Sequence, residues 1–514
     1  MKTKLLLCTL LFTSTILLSQ TTVISDANFE AYLETHDANG SVVPLGDATS
    51  MGDGIDNNGL VTTAKINTVT SLNVNGKSIS SLSGIEDFSA LSTLFCSGNQ
   101  LESLDVTNNT SLTTLNCSNN LLNGLVVTQN TALLELNCRG NPLGSLDVTK
   151  NTLLESLTCT SNQLTSLDLT KNIALTFLFC ASNQLSSIDL SKNIALEYFH
   201  CNGNPLGSID LSMNTSLTTL HCQVTGLTNL DVSMNTSLIL LNCRNNSLTS
   251  LTLPVSNTLA DIDCFNNMLS GLDISGLSGL TDLDCSVNMI SNLDASNNTV
   301  MQVLDCTTNL LTSLTLPNTP TLTHLWLYGN QLTSSSFNFT NNTGLKGIDI
   351  GFNLFVSLDV SMLPNLTQFY CNDNPLTSLN MKNGFNTSIN GNSFYADNNP
   401  SLTCITVDNE AYSTTNWTHI DAQTSFSTDC DALSIEEFNK LQIKLFPNPT
   451  IGKLIITLKS SASYSLVSML GQEIQKGTFN FGDNTLDVSQ LSKGLYFLTI
   501  KTSQGFVTKK IIKQ

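Results

Sequence analysis

Charge is scarce in this sequence. Asp, Glu, Lys and Arg together make up 12% of its 514 residues, and aromatic residues make up 6%. Asn, Thr, Ser and Leu fill the space instead, which suits a fold that satisfies its backbone with stacked side-chain amides and hydroxyls. After the N-terminal stretch there is no apolar run of about 18 residues, which leaves no further candidate for a membrane-crossing helix in the mature chain. Also missing are a nucleophile elbow, an H-E-x-x-H zinc motif, a phosphate-binding loop and a C-x-x-C pair, so the common hydrolytic, nucleotide and redox patterns are absent. The charge that exists is unevenly signed. The net is −19, yet residues 438–514 hold ten lysines against Glu473, Asp483 and Asp487. That asymmetry marks the basic tail as a separate part. The acidic remainder would repel phosphate backbones, which argues against nucleic acid as a partner.

The first residues have the parts of a secretory signal: Lys2 and Lys4, an apolar stretch from Leu5 to Leu18, and a cleavage point at Ser19 and Gln20. Residues 1–19 are read as a signal peptide. Cys8 sits inside the apolar stretch with no small-residue motif before it, so it is not read as a lipid-attachment site.

The dominant signal is a repeat. Cys96, Cys117, Cys138, Cys159, Cys180, Cys201, Cys222, Cys243, Cys264, Cys285 and Cys306 are spaced by 21 residues throughout. Asn follows three residues after each, with Thr225 the one exception, and Leu327, Ile350 and Cys371 continue the register. The step from Leu327 to Ile350 is 23, so one coil holds two extra residues. A fixed period of this length means a stacked repeat architecture. Alternation such as Ser156-Leu157-Thr158-Cys159 is that of a strand with one buried face. Each coil then adds one rung to a parallel sheet, with rungs about 4.8 Å apart. The Asn column is expected to stack inside the turn, bonding the backbone of its own and the next coil.

The unit L-x-x-L-x-C-x-x-N-x-L-x-S-L-D-V/L-T/S-x-N, seen from Leu154 onward, resembles the leucine-rich repeat with Cys in place of the last Leu of its core motif. The resemblance covers residues 89–403 and implies a mainly β solenoid. Residues 20–88 are read as an N-terminal cap, with a short helix at Asn28–Thr35, a turn at Gly52–Gly59 and two irregular first coils. The segment 404–432 resembles the terminal cap of exported bacterial repeat proteins, and a Cys404–Cys430 disulfide is chemically reasonable there outside the cytosol. From residue 438, LFPNPTIGKLIITL, SMLGQEI, LDVSQLSKGLYFLTIKT and KKIIKQ resemble the type A sorting domain of the type IX secretion system. That resemblance implies a small β-sandwich, handling by the type IX secretion machinery, and delivery to the extracellular space or outer-membrane surface of a Bacteroidota-type bacterium.

The cysteine column is read as a row of small buried hydrophobes and not as metal or disulfide sites, since parallel neighbours point the same way. Two further columns are read as structural. One is Asp105, Asp147, Asp168, Asp189, Asp210, Asp231, Asp273, Asp294 and Asp359, accepting hydrogen bonds from turn amides; the other begins at Asn109 and Asn130.

The outward positions of the concave sheet carry the candidate site. Phe177, Phe179, Tyr198, His200 and His221 form one cluster, Asp263, Asp284 and Asp305 a second, and Trp326, Tyr328 and Tyr370 a third. Exposed aromatics with polar neighbours mark an interaction surface. Stacked carboxylates about 5 Å apart repel one another, and a Ca2+ ion held by Asp261, Asp263, Asp284 and Asp305 would relieve that. Apart from this Ca2+ alternative, no metal or cofactor is expected. The reading is an exported protein, not an enzyme, that binds a protein or glycan ligand on its repeat face. A structural spacer or envelope component without a specific ligand is the alternative. A hydrolase is more remote, because one open ladder gives two carboxylates no opposing wall.

Overall fold

A computed structural model describes residues 20–430, 443–469, 471–502 and 505–514. The signal peptide expected at 1–19 lies outside the described residues, as do residues 431–442. Two compact units are present: residues 1–356 with 363–374, and residues 357–362 with 375–514.

In the first unit, the helix expected near the N-terminus spans Ala27–Glu34. Asp26 caps it by accepting hydrogen bonds from the backbone N–H groups of Asn28 and Phe29. Phe29 and Leu33 are buried beneath it. Its two glutamates explain the glycine-rich turn that follows. Glu34 accepts from the amides of Asp53 and Gly54, and Glu30 from those of Asn58 and Gly59. The loop is therefore a cradle of amides around two carboxylates. A Cβ on Gly52 would collide with the Glu34 carboxylate, which fixes glycine at that position.

The parallel ladder begins at Ser71–Asn73, in the first of the two irregular coils expected before residue 89, and runs in register to Gln368–Tyr370. Rungs are three residues long, with the middle side chain turned inward, as Leu94 and Leu178 are. The cysteines follow directly, and all twelve from Cys96 to Cys371 are buried free thiols. Burial pushes the thiols of Cys117 and Cys180 up to about 12, so they are inert.

Two asparagine ladders join the coils. Asn120 Nδ2 donates to the carbonyl of Cys117 in its own coil and to that of Cys96 one coil earlier, at 3.0 Å each; its Oδ1 accepts from Leu101 N at 3.1 Å. The bridge thus reaches back to the preceding coil, where the sequence reading had placed it on the next. Thr225, the one departure, keeps half of the pattern, its Oγ1 donating to Cys222 O at 2.7 Å. In the second ladder Asn172 Nδ2 donates to Val148 O at 2.9 Å and to Asn151 O at 2.8 Å, again in the preceding coil. The Asp column sits beside it on the surface. Asp168 Oδ1 accepts from Thr170 Oγ1 and Thr170 N, which together hold its carboxyl below the usual range.

One conserved geometry was not expected. The position two residues after each cysteine of the column, or after Leu327 in its place, adopts a left-handed backbone in coil after coil, as at Asn119, Ser161, Asn245 and Gly329. Gly and Asn suit it, but Val224 at φ 55° does not.

The second unit opens with a parallel sheet of Ser357–Asp359, Ser378–Asn380, Cys404–Thr406 and Ser425–Ser427. Trp417 closes its core, stacked on Phe394 with centroids 4.1 Å apart and donating from Nε1 to Ile389 O at 2.9 Å. The Cys404–Cys430 disulfide is present. Beyond it lie two antiparallel sheets, one of Lys444–Phe446, Lys453–Leu458 and Gly482–Asp487, the other of Glu473–Phe479, Ala462–Ser468, Gly494–Thr502 and Gly505–Lys513. Leu454, Ile456, Leu466, Leu498, Ile500 and Ile511 form their common core. Within the FPNP motif, Asn448 donates to Lys510 O at 2.6 Å and accepts from Ile512 N at 2.8 Å, sealing the edge of the last strand.

Asn172→Ala should lower stability by about 2 kcal/mol, because it removes two buried hydrogen bonds between coils and leaves Val148 O and Asn151 O with one backbone donor each. Val224→Asn, which installs a residue that tolerates the left-handed turn, should raise it by about 0.5–1 kcal/mol. Urea denaturation midpoints check both, and an unchanged midpoint for Asn172→Ala would remove the ladder's assigned role.

Candidate functional site on the parallel sheet face

Because neighbouring rungs pair in register, each outward side chain stacks on its counterpart one coil away. Contact along the face is therefore decided by residue identity within a column. Phe177 and Tyr198 lie face to face, with ring centroids 4.4 Å apart and planes 5° apart. Phe179 meets His200 at 4.2 Å, and His200 meets His221 at 4.2 Å. The five residues of the first expected cluster thus form two adjoining stacks, with each ring pair contributing about 0.5–1.5 kcal/mol beyond area burial. Burial disfavours the imidazolium. It lowers His200 to about 4, with His221 beside it adding to the effect, and lowers His221 in the same direction. Both imidazoles are neutral rings at pH 7.

The carboxylates come next along the ladder. Asp261 pairs with Asp282, and Asp263 with Asp284, which pairs in turn with Asp305. Burial, reinforced by the neighbouring carboxylates, raises the pKa of Asp261, Asp263 and Asp305, and of Asp349 further on. Hydrogen bonds from their own turns hold these side chains. Asp284 Oδ1 accepts from Ser286 N at 2.9 Å, and Asp305 Oδ1 from Thr307 N at 2.8 Å. Asp263 accepts from Asn242 Nδ2 at 2.9 Å and faces Arg244 at 3.6 Å. Among the described residues no group of three or more His, Cys, Asp or Glu side chains could hold a metal ion. Asp263, Asp284 and Asp305 run along successive rungs, pointing the same way, with Asp261 beside Asp263 on its rung.

Trp326 shares its rung with His324, ring centroids 5.7 Å apart, and both lie over Gly347 on the next. A Cβ on Gly347 would come within 2.8 Å of the indole and 2.9 Å of the imidazole, so glycine lets the rings settle on the sheet. Tyr328 packs against Phe352 at 5.8 Å, and Tyr370 follows Asp349 in register. The sequence reading did not single out Gly347 or Phe352. Phe352 occupies the left-handed turn position, φ 57°, where an aromatic is not anticipated. It also passed over the stacked pair Tyr395 and His419 of the second unit, 4.0 Å apart, because that segment has left the 21-residue period. A cavity of about 350 Å3 opens at the long coil, around Phe337, Ser335 and Leu314.

Short parallel rungs, inward leucines and asparagine-bridged turns define a leucine-rich-repeat solenoid. Solved structures agree. The functional domain of InlJ from Listeria monocytogenes, which includes a cysteine ladder, is similar over 96% of this chain and 99% of its own, with TM-score 0.58 and 23% identity. The internalin InlF from the same bacterium matches over 68% of this chain and 95% of its own, with TM-score 0.52 and 22% identity. YopM from Yersinia pestis matches over 66% and 89%, with TM-score 0.50 and 23% identity. Curated proteins gave no match. Residues 444–514 match the secretion system C-terminal sorting domain family. The protein is thus an exported leucine-rich-repeat protein with a type IX secretion sorting tail, destined for the extracellular space or the outer-membrane surface. No helix among the described residues is long and apolar enough to cross a membrane.

The aspartate ladder should cost stability. A carboxylate whose folded-state pKa is raised above its unfolded value is disfavoured by folding while ionised, and the penalty fades as pH falls through the folded pKa. Asp305→Asn, which keeps an acceptor for Thr307 N, should therefore raise Tm by about 1–2 °C at pH 7 and lose that advantage near about pH 4. His200 has the opposite sign: its depressed pKa removes stability as pH falls from about 6.5 towards 4, so the comparison is made against wild type at each pH. A lower Tm for Asp305→Asn at pH 7 would contradict the assignment.

Proposed function

We propose that the exported solenoid is a recognition protein, and not an enzyme, that binds a protein or glycan ligand across its sheet face. One observation carries this reading. The coil needs only small polar residues at its outward rung positions, yet Phe177, Phe179, Tyr198, His200 and His221 form stacks on successive rungs. The coil does not require rings there, since Asn116, Asn137 and Thr158 fill the same rung position on neighbouring coils. Aromatic side chains concentrated among polar neighbours are the composition of contact surfaces. The aspartates support recognition over hydrolysis, since they stand side by side on one sheet and do not flank a bond from two walls.

The experiment presents the purified exported chain to arrays of surface glycans and surface proteins. Phe179→Ala/His200→Ala and Trp326→Ala should each weaken binding about 10–100-fold while cooperative unfolding is retained, the double variant losing about 1–3 kcal/mol of stability with its two ring pairs. Binding that survives both variants unchanged would overturn the reading. An array with no binder at all would favour a spacer.

A further inference from the structure

The occupant of this face can be specified further, on the premise that the face is the binding surface. We propose that it docks a cationic polypeptide segment, whose arginine or lysine side chains reach the aspartate ladder while its neighbouring residues pack on the stacked aromatic rings. The argument begins with the sheet's register. Asp261, Asp263, Asp282, Asp284, Asp305 and Asp349 lie on rungs between the His200–His221 stack and Tyr370, with Trp326 between Asp305 and Asp349. The rungs from Asp261 to Asp349 thus carry a run of negative charge between the aromatic groups. Arg244 is the cation already seated there, 3.6 Å from Asp263. It shows a guanidinium lying against this row of carboxylates from a position one coil away.

A guanidinium suits both halves of the surface, because it pairs with carboxylates through planar hydrogen bonds and stacks on aromatic faces. A neutral glycan would use the rings and leave the carboxylates uncompensated, and an acidic partner would be repelled. The second aspartate column provides an internal control. Asp147, Asp168 and Asp189 carry the same charge on the lateral turn, but each is tied to the following Thr or Ser and none adjoins an aromatic stack of the face.

The test uses the purified exported chain and three probes: a labelled dodecapeptide alternating Arg and Ser, its Glu/Ser counterpart, and a neutral oligosaccharide. The Arg/Ser peptide should bind best, and more weakly as salt rises. Asp263→Asn/Asp284→Asn/Asp305→Asn should weaken it about tenfold or more, whereas Asp147→Asn/Asp168→Asn/Asp189→Asn, with the same change in net charge, should leave affinity within about twofold. Arg244→Ala, which frees Asp263 without touching the ladder, should tighten binding about two- to threefold and guards against a triple variant that folds poorly. Equal losses from the two triple variants, or an Arg/Ser peptide that binds no better than the Glu/Ser peptide, would overturn the proposal. If the oligosaccharide or the Glu/Ser peptide binds instead and Phe179→Ala/His200→Ala abolishes it, the cationic occupant is wrong while the sheet face remains the binding surface. If no probe responds to any variant of the face, both readings fall.

Discussion

A carboxamide placed three residues after every inward cysteine but Cys222 does what the coil cannot do for itself. Each rung is three residues long, and most of the coil around it is turn, whose amides and carbonyls would be buried without partners. Asn120, Asn141 and Asn183 each donate to a carbonyl of their own coil and to one of the coil before, and accept from a backbone N–H of that preceding coil. The second ladder, through Asn130, Asn151 and Asn172, ties the return side differently, each Nδ2 donating to two carbonyls of the preceding coil. Coil-to-coil register is thereby set from inside the solenoid. The outward residues are released from any part in specifying the fold, and this is why they can form runs of aromatic and acidic side chains.

The same register governs the sulfur chemistry. In-register neighbours on parallel rungs present their thiols in one row, and the sulfurs of Cys285 and Cys306 are 3.5 Å apart, well beyond a bond of about 2.05 Å. Desolvation raises the thiols of Cys117 and Cys180 to about 12, which keeps them protonated and unreactive. Cys404 and Cys430 have left the column. Both belong to the cap, with Cα atoms 5.8 Å apart, and they are joined. An exported protein can therefore hold twelve free thiols and one disulfide, because reactivity here follows position in the repeat and not the compartment alone.

The fold was legible in the sequence wherever the period ran unbroken. Equal spacing from Cys96 to Cys306 predicts the parallel ladder, the buried sulfurs and the stacked outward columns, because identical coils have one way to pile up. Within the site, the stacking of Phe179, His200 and His221 follows from the same spacing. Three things were hidden. The direction of the asparagine bridge depends on how the turn is wound, which spacing does not encode. The left-handed turn position was masked by the variety of its occupants, from Gly98 and Asn119 to Val224 and Phe352. The environment of Trp326 turns on the absent side chain of Gly347 one rung later, and an empty position in one column gives no sign of what leans over it from the next.

Conflict between stability and surface chemistry is what singles out the aspartate run. On the lateral column a carboxylate is favoured, since Asp168 and Asp147 are exposed and hydrogen-bonded by Thr170 and Thr149, and their pKa values fall. On the sheet face the same residue type is packed beside its own kind and partly desolvated, and the values for Asp263, Asp305 and Asp349 rise. One chain thus places aspartate both where the fold is helped by it and where the fold is strained by it. Asn occupies the equivalent face position at Asn116, Asn137 and Asn242, so the repeat admits a neutral residue of nearly the same shape there. Folding does not account for charge at Asp263, Asp284 and Asp305 when the uncharged isostere fits the same column. The cationic segment proposed for that face would supply a reason for the charge there.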